Sequence, residues 1–514
     1  MPEHLRAVIV VLFLAWLVFA LSRAPACDSA ISAPDFERRR NLWFGITLSL
    51  FLAHNFWLFA LLSSVLIILS TSRENNPASL FVWLLFAAPG FTVTISGLGL
   101  VNQLFELSYP RLVSLLILAP AALRFWRSDE NRMGLVDWLV AGYLILPVVR
   151  QLQTDTFTNT ARWALYAVLD IWLPYFVASR SIRSLPDLKD FMMSASVALA
   201  VVAVLGLFEF LRYWLLYGSL IDVLGAQWGF GNYQARSSSL RAQVTTGHPI
   251  ALGYVLGIAI CFQLSLRHAI RDGKLWVLGL LTFIGGLVAT ISRGPWVGAI
   301  AGVLGFLLSG PRAIAMLTKI TIFSVIGAGL ILISPFGKSF VDYLPFVGSI
   351  ESQNVTYRQL LFEISLQVIK QNLWFGSADF LSLPMMQQLI QGEGIIDIVN
   401  TYVGVALSYG VVGLACFVGA FVTSGWKTWR AIKHSQGSNL SVVGQALLGC
   451  IVGTLVTIAT TSMITVIPTL AWMLVGLNVA YATLVERHIG SGVQSTERGL
   501  FDSHGHPRPV VRKM

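Results

Sequence analysis

Charge is what this chain lacks most. Charged residues make up 12% of its 514 residues, against about 25% in an average soluble chain, which excludes an ordinary water-soluble domain. Cysteine is scarce as well. Cys27, Cys261, Cys416 and Cys450 stand singly. No paired spacing suggests a disulfide framework or a zinc site, and the three inside apolar runs read as small core residues. No repeat of fixed period is visible. The segments assigned below to the outer side carry no Asp-x-Asp cluster, so a divalent metal lacks obvious ligands there. No metal site and no cofactor is expected.

What is present is apolar length. The hydrophobic fraction is 55% and the mean hydropathy +0.72. At roughly 20 residues per span, the apolar runs predict an all-α, polytopic integral membrane protein of about 13–15 transmembrane helices. Residues 7–21 read as a retained first helix, although Ala24-Pro25-Ala26 resembles a signal-peptide cleavage site. Residues 42–70 form one tilted helix or two short ones, interrupted at His54-Asn55. Further spans are expected near 79–95, 111–125, 135–149, 163–178, 191–216, 250–266, 276–289, 297–308, 401–425, 442–459 and 466–485.

The basic residues sort the loops. The net charge of +10 is spread through short loops rather than gathered on a soluble domain, so no nucleic-acid partner is expected. Arg38-Arg39-Arg40 reads as a cytoplasmic loop. Loops bearing Arg124, Arg127 and Arg132, then Arg180, Arg183 and Lys189, then Arg267, Arg271 and Lys274, then Arg312 and Lys319, then Lys427, Arg430 and Lys433 fall on one side by the positive-inside rule. Four pieces go to the other side: 154–159, 217–246, the turn 292–295, and the long segment 334–400. Arg236, Arg241, Arg293 and Arg358 lie in them against the topology bias, and anion binding is the simplest reason. Leu360, Leu361, Ile364, Val368 and Ile369 recur at helical spacing in 357–374, and 383–390 could form another helix. The long segment therefore reads as a helical cap. The expected divisions are 1–216, N-terminal transmembrane helices; 217–333, the region with Arg241 and Arg293; 334–400, the outer loop; 401–487, C-terminal transmembrane helices; and 488–514, a disordered tail.

Three outward elements carry the chemistry. Arg241 opens a stretch ending Gly247-His248-Pro249. Ser292-Arg293-Gly294-Pro295-Trp296 joins two apolar runs. Tyr357-Arg358 is followed by Asn372-Leu373-Trp374-Phe375-Gly376 and then Asp397-Ile398-Val399-Asn400-Thr401-Tyr402. In this order, over about 241–414, they resemble the O-antigen ligase and O-antigen polymerase superfamily of bacterial envelope glycosyltransferases. The resemblance implies a capped cavity on the periplasmic face of the cytoplasmic (inner) membrane. It also implies an undecaprenyl-diphosphate-linked glycan as donor and assigns donor binding to Arg241 and Arg293. Where the ligases carry a histidine before Asn400, this chain has Val399, which favours a polymerase. Beyond the lipid bilayer and the lipid-linked glycan, a chain-length regulator and export proteins are candidate partners.

The residues support that chemistry independently. A diphosphate leaving group gains charge as its bond to sugar breaks, and guanidinium groups hold phosphate in bidentate fashion. Asp397 and Glu393 are candidate bases for an acceptor hydroxyl, or simply solvated residues ahead of a helix. Arg358, Tyr357, His248, Asn400 and Tyr402 are candidate substrate contacts. His248 could instead cap a helix entry, and Tyr402 could anchor a span at the interface. The expected function is polymerisation of lipid-linked repeat units into exopolysaccharide or O-antigen-type polymer. The alternatives are ligation of a finished glycan to a lipid or protein acceptor, and transport of lipid-linked glycan, which the lack of internal repeats disfavours.

Overall fold

The computed structural model describes residues 1–97, 103–127, 133–229, 233–236, 239–311, 352–390 and 394–500, with four single positions between 312 and 351. The described residues are mostly helical. Among them, seven helices are long and apolar enough to cross a membrane, and Phe56–Thr71, Gly273–Ala289 and Arg293–Leu308 are shorter apolar helices. The chain is a multi-pass membrane protein.

Local chemistry sets most helix starts. Ser32, Asn55, Asn76, Ser184, Asp272 and Ser438 each accept a backbone N–H at the first turn of the helix that follows, as short polar side chains do at N-caps. Asn55 resolves the 42–70 run into two helices, Ala33–Leu52 and Phe56–Thr71. Capping by Ser32 also starts the first of these early, so Arg38-Arg39-Arg40 lies inside a helix and not in the expected loop. Arg39 can be buried there because carboxylates meet it. Its Nη2 lies 2.7 Å from Glu74 Oε1 and its Nη1 2.7 Å from Asp190 Oδ1.

The expected span at 79–95 is not one helix. Pro77–Leu85 forms a short buried helix, and the chain then turns into a hairpin, Thr92–Ser96 paired antiparallel with Gln103–Ser108. Thr, Val and Ile at 92–95 favour strand, and Pro89-Gly90 ends the helical register. The run at 111–125 is helical throughout but relaxes into a π-turn at Ser114–Leu118. A second π-turn, Val168–Trp172, interrupts the helix from Phe157 to Ser181. The two meet where the Ser114 hydroxyl donates to the Leu169 carbonyl at 2.7 Å.

The centre of the bundle is close-packed through small residues. Arg293–Leu308 lies along Asn439–Ile458, and a Cβ added at Gly449 would stand 2.6 Å from the Gly302 carbonyl oxygen. Of the cap, Ser352–Gln371 is the expected amphipathic helix, followed by a 3₁₀ turn at Phe380–Ser382 and a short helix at Pro384–Gln387. Leu361, Ile364, Val368, Phe380, Met386 and Leu389 form its small core, closed by Val403 and Leu407 of the next span. The last helix is Ile467–Leu500.

Candidate active site at the capped end of the bundle

The Arg241 loop, the Arg293 turn and the described part of the cap meet at one end of the bundle. The Arg241 loop and the Arg293 turn are joined directly. Arg241 Nη2 donates to Ser292 Oγ at 2.8 Å and its Nε to the Thr290 carbonyl at 3.2 Å. The Ala242 N–H donates to the Ala289 carbonyl at 3.1 Å, and Arg236 Nη1 to the Ile291 carbonyl at 3.1 Å. These contacts join the loop that carries Arg236 and Arg241 to the turn before Arg293.

Arg293 is the first residue of the helix Arg293–Leu308, with Ser292 at its N-cap. The positive end of a helix dipole thus shares the place with the arginine. Trp296 fixes this start: its indole N–H donates to the Leu287 carbonyl at 2.8 Å. The backbone just before it is strained. Ile291 and, in the facing loop, Val244 both take positive φ, 45° and 46°, which β-branched side chains strongly disfavour. Such strain collects where surrounding structure over-determines a functional geometry.

Glu209 is part of what over-determines it. Near the end of the helix Leu185–Arg212, it is 1% exposed. One carboxylate oxygen accepts the N–H groups of Gln243 and Val244 at 3.1 and 2.9 Å, and the other accepts that of Leu216 at 3.0 Å. A single buried side chain therefore pins both the start and the end of the loop that carries Arg241. An isolated Glu in an apolar run offers no sequence motif; its only signal was the cost of burying it.

The third element reaches the same place. Gly294 lies against Thr460, and Arg358 Nη2 donates to the Thr460 carbonyl at 3.4 Å. Tyr357 donates to the Asp397 carbonyl at 3.1 Å, and Thr401 to the Thr461 carbonyl at 2.7 Å. The stretch 460–462, between the last two spans, is thus the floor onto which the cap closes, and sequence reading passed over it.

The cap is also locked into a broken helix. Gly410 takes φ 63° and ψ −164° inside Thr401–His434, which interrupts the helical hydrogen-bond ladder. The turn before Gly376 supplies the replacements: Val411 and Val412 donate to the Leu373 and Trp374 carbonyls at 2.8 and 3.2 Å, and Ser377 to the Leu407 carbonyl at 2.8 Å. Irregular backbone at such depth is tolerable only where protein satisfies it. Arg150, at the end of the helix Leu135–Thr154, donates to the Gly376 carbonyl at 3.0 Å and adds an arginine that sequence reading did not single out.

Several candidate contacts turn inward. His248 is the N-cap of Pro249–Ser265, its Nδ1 accepting the Ile250 N–H at 3.1 Å. That role needs the unprotonated ring, and burial, aided by Arg241, draws its pKa down to about 4. Asn400 Oδ1 caps the next span by accepting from Tyr402 and Val403, and the Tyr402 hydroxyl donates to the Leu455 carbonyl at 2.8 Å. These are the capping and anchoring readings of the same residues. Asp397 is exposed, and Glu393 lies outside the described residues.

Residues 278–418 match the O-antigen ligase family. The matched segment contains Arg293, Arg358, Asp397 and Gly410, and it bears out the resemblance to the O-antigen ligase and polymerase superfamily. It supports a ligase- or polymerase-type function and implies a lipid-linked glycan substrate. Arg241 and Glu209 lie before it, yet the structure builds them into the same end. No curated protein matches the chain.

Proposed function

We propose that the protein is an inverting glycosyltransferase that polymerises undecaprenyl-diphosphate-linked repeat units at the periplasmic face of the inner membrane. The observation that carries this reading is the junction of Arg241 with Ser292, beside Arg293 at a helix N-terminus. An acceptor hydroxyl attacks the anomeric carbon of the donor sugar. The bond to the diphosphate breaks from the opposite face, and the electron pair leaves on the bridging oxygen. Arg293, Arg241 and the helix dipole stabilise that charge, usually the largest catalytic term in such sites. The acceptor proton passes to a carboxylate, with Asp397 and Glu393 the candidates, or to water. Arg358 and Tyr357, on the cap helix, contact the glycan. Arginines take the charge-neutralising role that a divalent metal has in other sugar transferases, so the reaction runs without one.

Val399 in the position of a ligase histidine supports polymerase over ligase. The family's description as O-antigen ligase favours the second reading, transfer of a finished glycan to a lipid or protein acceptor. Purified protein in vesicles, given one defined lipid-linked repeat unit, separates them. A ladder of longer lipid-linked glycans supports the polymerase. Transfer only to an added acceptor supports the ligase, and no transfer to either overturns both. Orientation is tested by single cysteines: Gln388→Cys should be labelled from outside by a membrane-impermeant reagent, and Ser435→Cys should not.

A further inference from the structure

Just before Gly376 the chain exposes three large apolar side chains in a row, Leu373, Trp374 and Phe375, the last two each more than half exposed. Single exposed apolar residues are ordinary, but a contiguous cluster marks a contact surface. The backbone that carries them is held firmly. The Leu373 and Trp374 carbonyls accept the N–H groups of Val411 and Val412, and a Cβ added at Gly376 would stand 2.5 Å from the Leu407 carbonyl oxygen. The turn is therefore seated against the Gly410 break, with its three side chains left outside.

Two helices measure how deep that seat lies. The basic run Lys427, Arg430 and Lys433, with Trp426 exposed beside it, marks one headgroup level of the span Thr401–His434. Gly410 precedes Lys427 by 17 residues, roughly 25 Å at the helical rise, which is within the ~30 Å of a bilayer's hydrocarbon core. Leu135–Thr154 agrees. Its N-cap Gly134 sits beside Lys427, where an added Cβ would be 3.9 Å from Nζ. Arg150, 16 residues further on, donates to the Gly376 carbonyl at 3.0 Å. On the same helix Ile145, Val149 and Leu152 are exposed, as is Val411 next to the turn. The exposed trio is thus continuous with the apolar outer surface of two spans and is not raised above it.

We infer that the turn Leu373-Trp374-Phe375 is inserted into the bilayer at the boundary between headgroups and acyl chains, and anchors the cap to lipid of the leaflet on the capped side. An indole, apolar in body with one polar N–H, suits that level. Arg150 alongside keeps its charge at the headgroups while its stem lies along apolar surface. Because the same turn re-pairs the hydrogen-bond ladder broken at Gly410, the anchor sets the height of the cap over the membrane.

Trp374→Cys and Phe375→Cys, each labelled with a fluorophore on the purified full-length protein in phospholipid nanodiscs, test this. Unsubstituted protein is the blank, and Gln388→Cys, exposed elsewhere on the cap, is the control. One quencher is a nitroxide attached to lipid near the headgroup, and the other is aqueous iodide. Labels at 374 and 375 should lose most of their emission to the lipid-borne nitroxide and little to iodide, and the label at 388 should do the reverse. Two positions, each checked for wild-type unfolding temperature, guard against one substitution that disturbs the fold. Quenching of both turn labels by iodide alone would place the turn in water. Quenching by neither would mean that protein covers it, and either result overturns the anchor.

Discussion

Arg39 and Arg241 are both tied into the body of the protein, and they tie different elements together. Arg39 is 1% exposed and meets Glu74 and Asp190, each at 2.7 Å. Its charge is matched where it stands: burial pushes the Glu74 carboxyl up, but hydrogen bonding and charge from Arg39, with Arg38 nearby, hold it below the usual range. Arg241 is only half-buried, and among its contacts it donates to the Thr290 carbonyl and the Ser292 hydroxyl. The first arrangement is a clamp between helices. The second joins a loop to the start of a helix. The difference teaches that an arginine in an apolar chain is not by itself a sign of function; which elements it ties together separates the two cases.

The comparison can be broken most forcefully at the clamp. Arg39→Ala leaves two carboxylates facing a cavity, and removing one partner of a buried ion pair costs about 3–5 kcal/mol. A large fall in unfolding temperature and in membrane-inserted protein is expected, with the remaining folded protein still active. Normal stability would show the clamp to be dispensable.

At the other end the effect should fall on rate. Arg293→Lys and Arg293→Ala should both lose on the order of a hundredfold or more, the cost of removing one transition-state donor, while the protein accumulates normally. Lys fails because an ammonium cannot reproduce the planar fork. Arg241→Ala should behave likewise, and Arg267→Ala, at the opposite end, should stay active. Wild-type chain lengths from Arg293→Lys would return this residue to a snorkelling role.

Glu209 belongs to neither class, and its substitution sharpens the contrast. Glu209→Ala strands three buried N–H groups, and each left unsatisfied costs about 1–3 kcal/mol. The expected result is lower thermal stability together with reduced activity, with Glu209→Gln, which keeps one acceptor oxygen, intermediate in both. Full activity in Glu209→Ala would show that the loop holds Arg241 without this post. The smallest effect is expected from chelation: EDTA-treated enzyme should keep most of its transfer activity. Loss restored by magnesium would show that a metal, and not the arginines, meets the leaving group.

What the residues determined alone was whatever depends on local energetics. Apolar length specified the spans, short polar side chains their starts, and Asn55 the break that divides 42–70. Loop charge placed the Arg241, Arg293 and cap segments on one side, and the Ser-Arg-Gly-Pro-Trp stretch pointed to the family before any contact was known. The hairpin at 92–108 escaped because a buried apolar run reads alike as helix or strand. Only the tertiary structure decided which polar groups are already spent. His248 and Asn400 cap the helices that follow them, and Glu209 and Thr460, which carried no motif, bond to the Arg241 loop and to Arg358. A side chain's chemistry is written in the sequence, but the partner that consumes it is set by packing, here between residues separated by 34 and 35 positions at Glu209 and by 102 at Arg358.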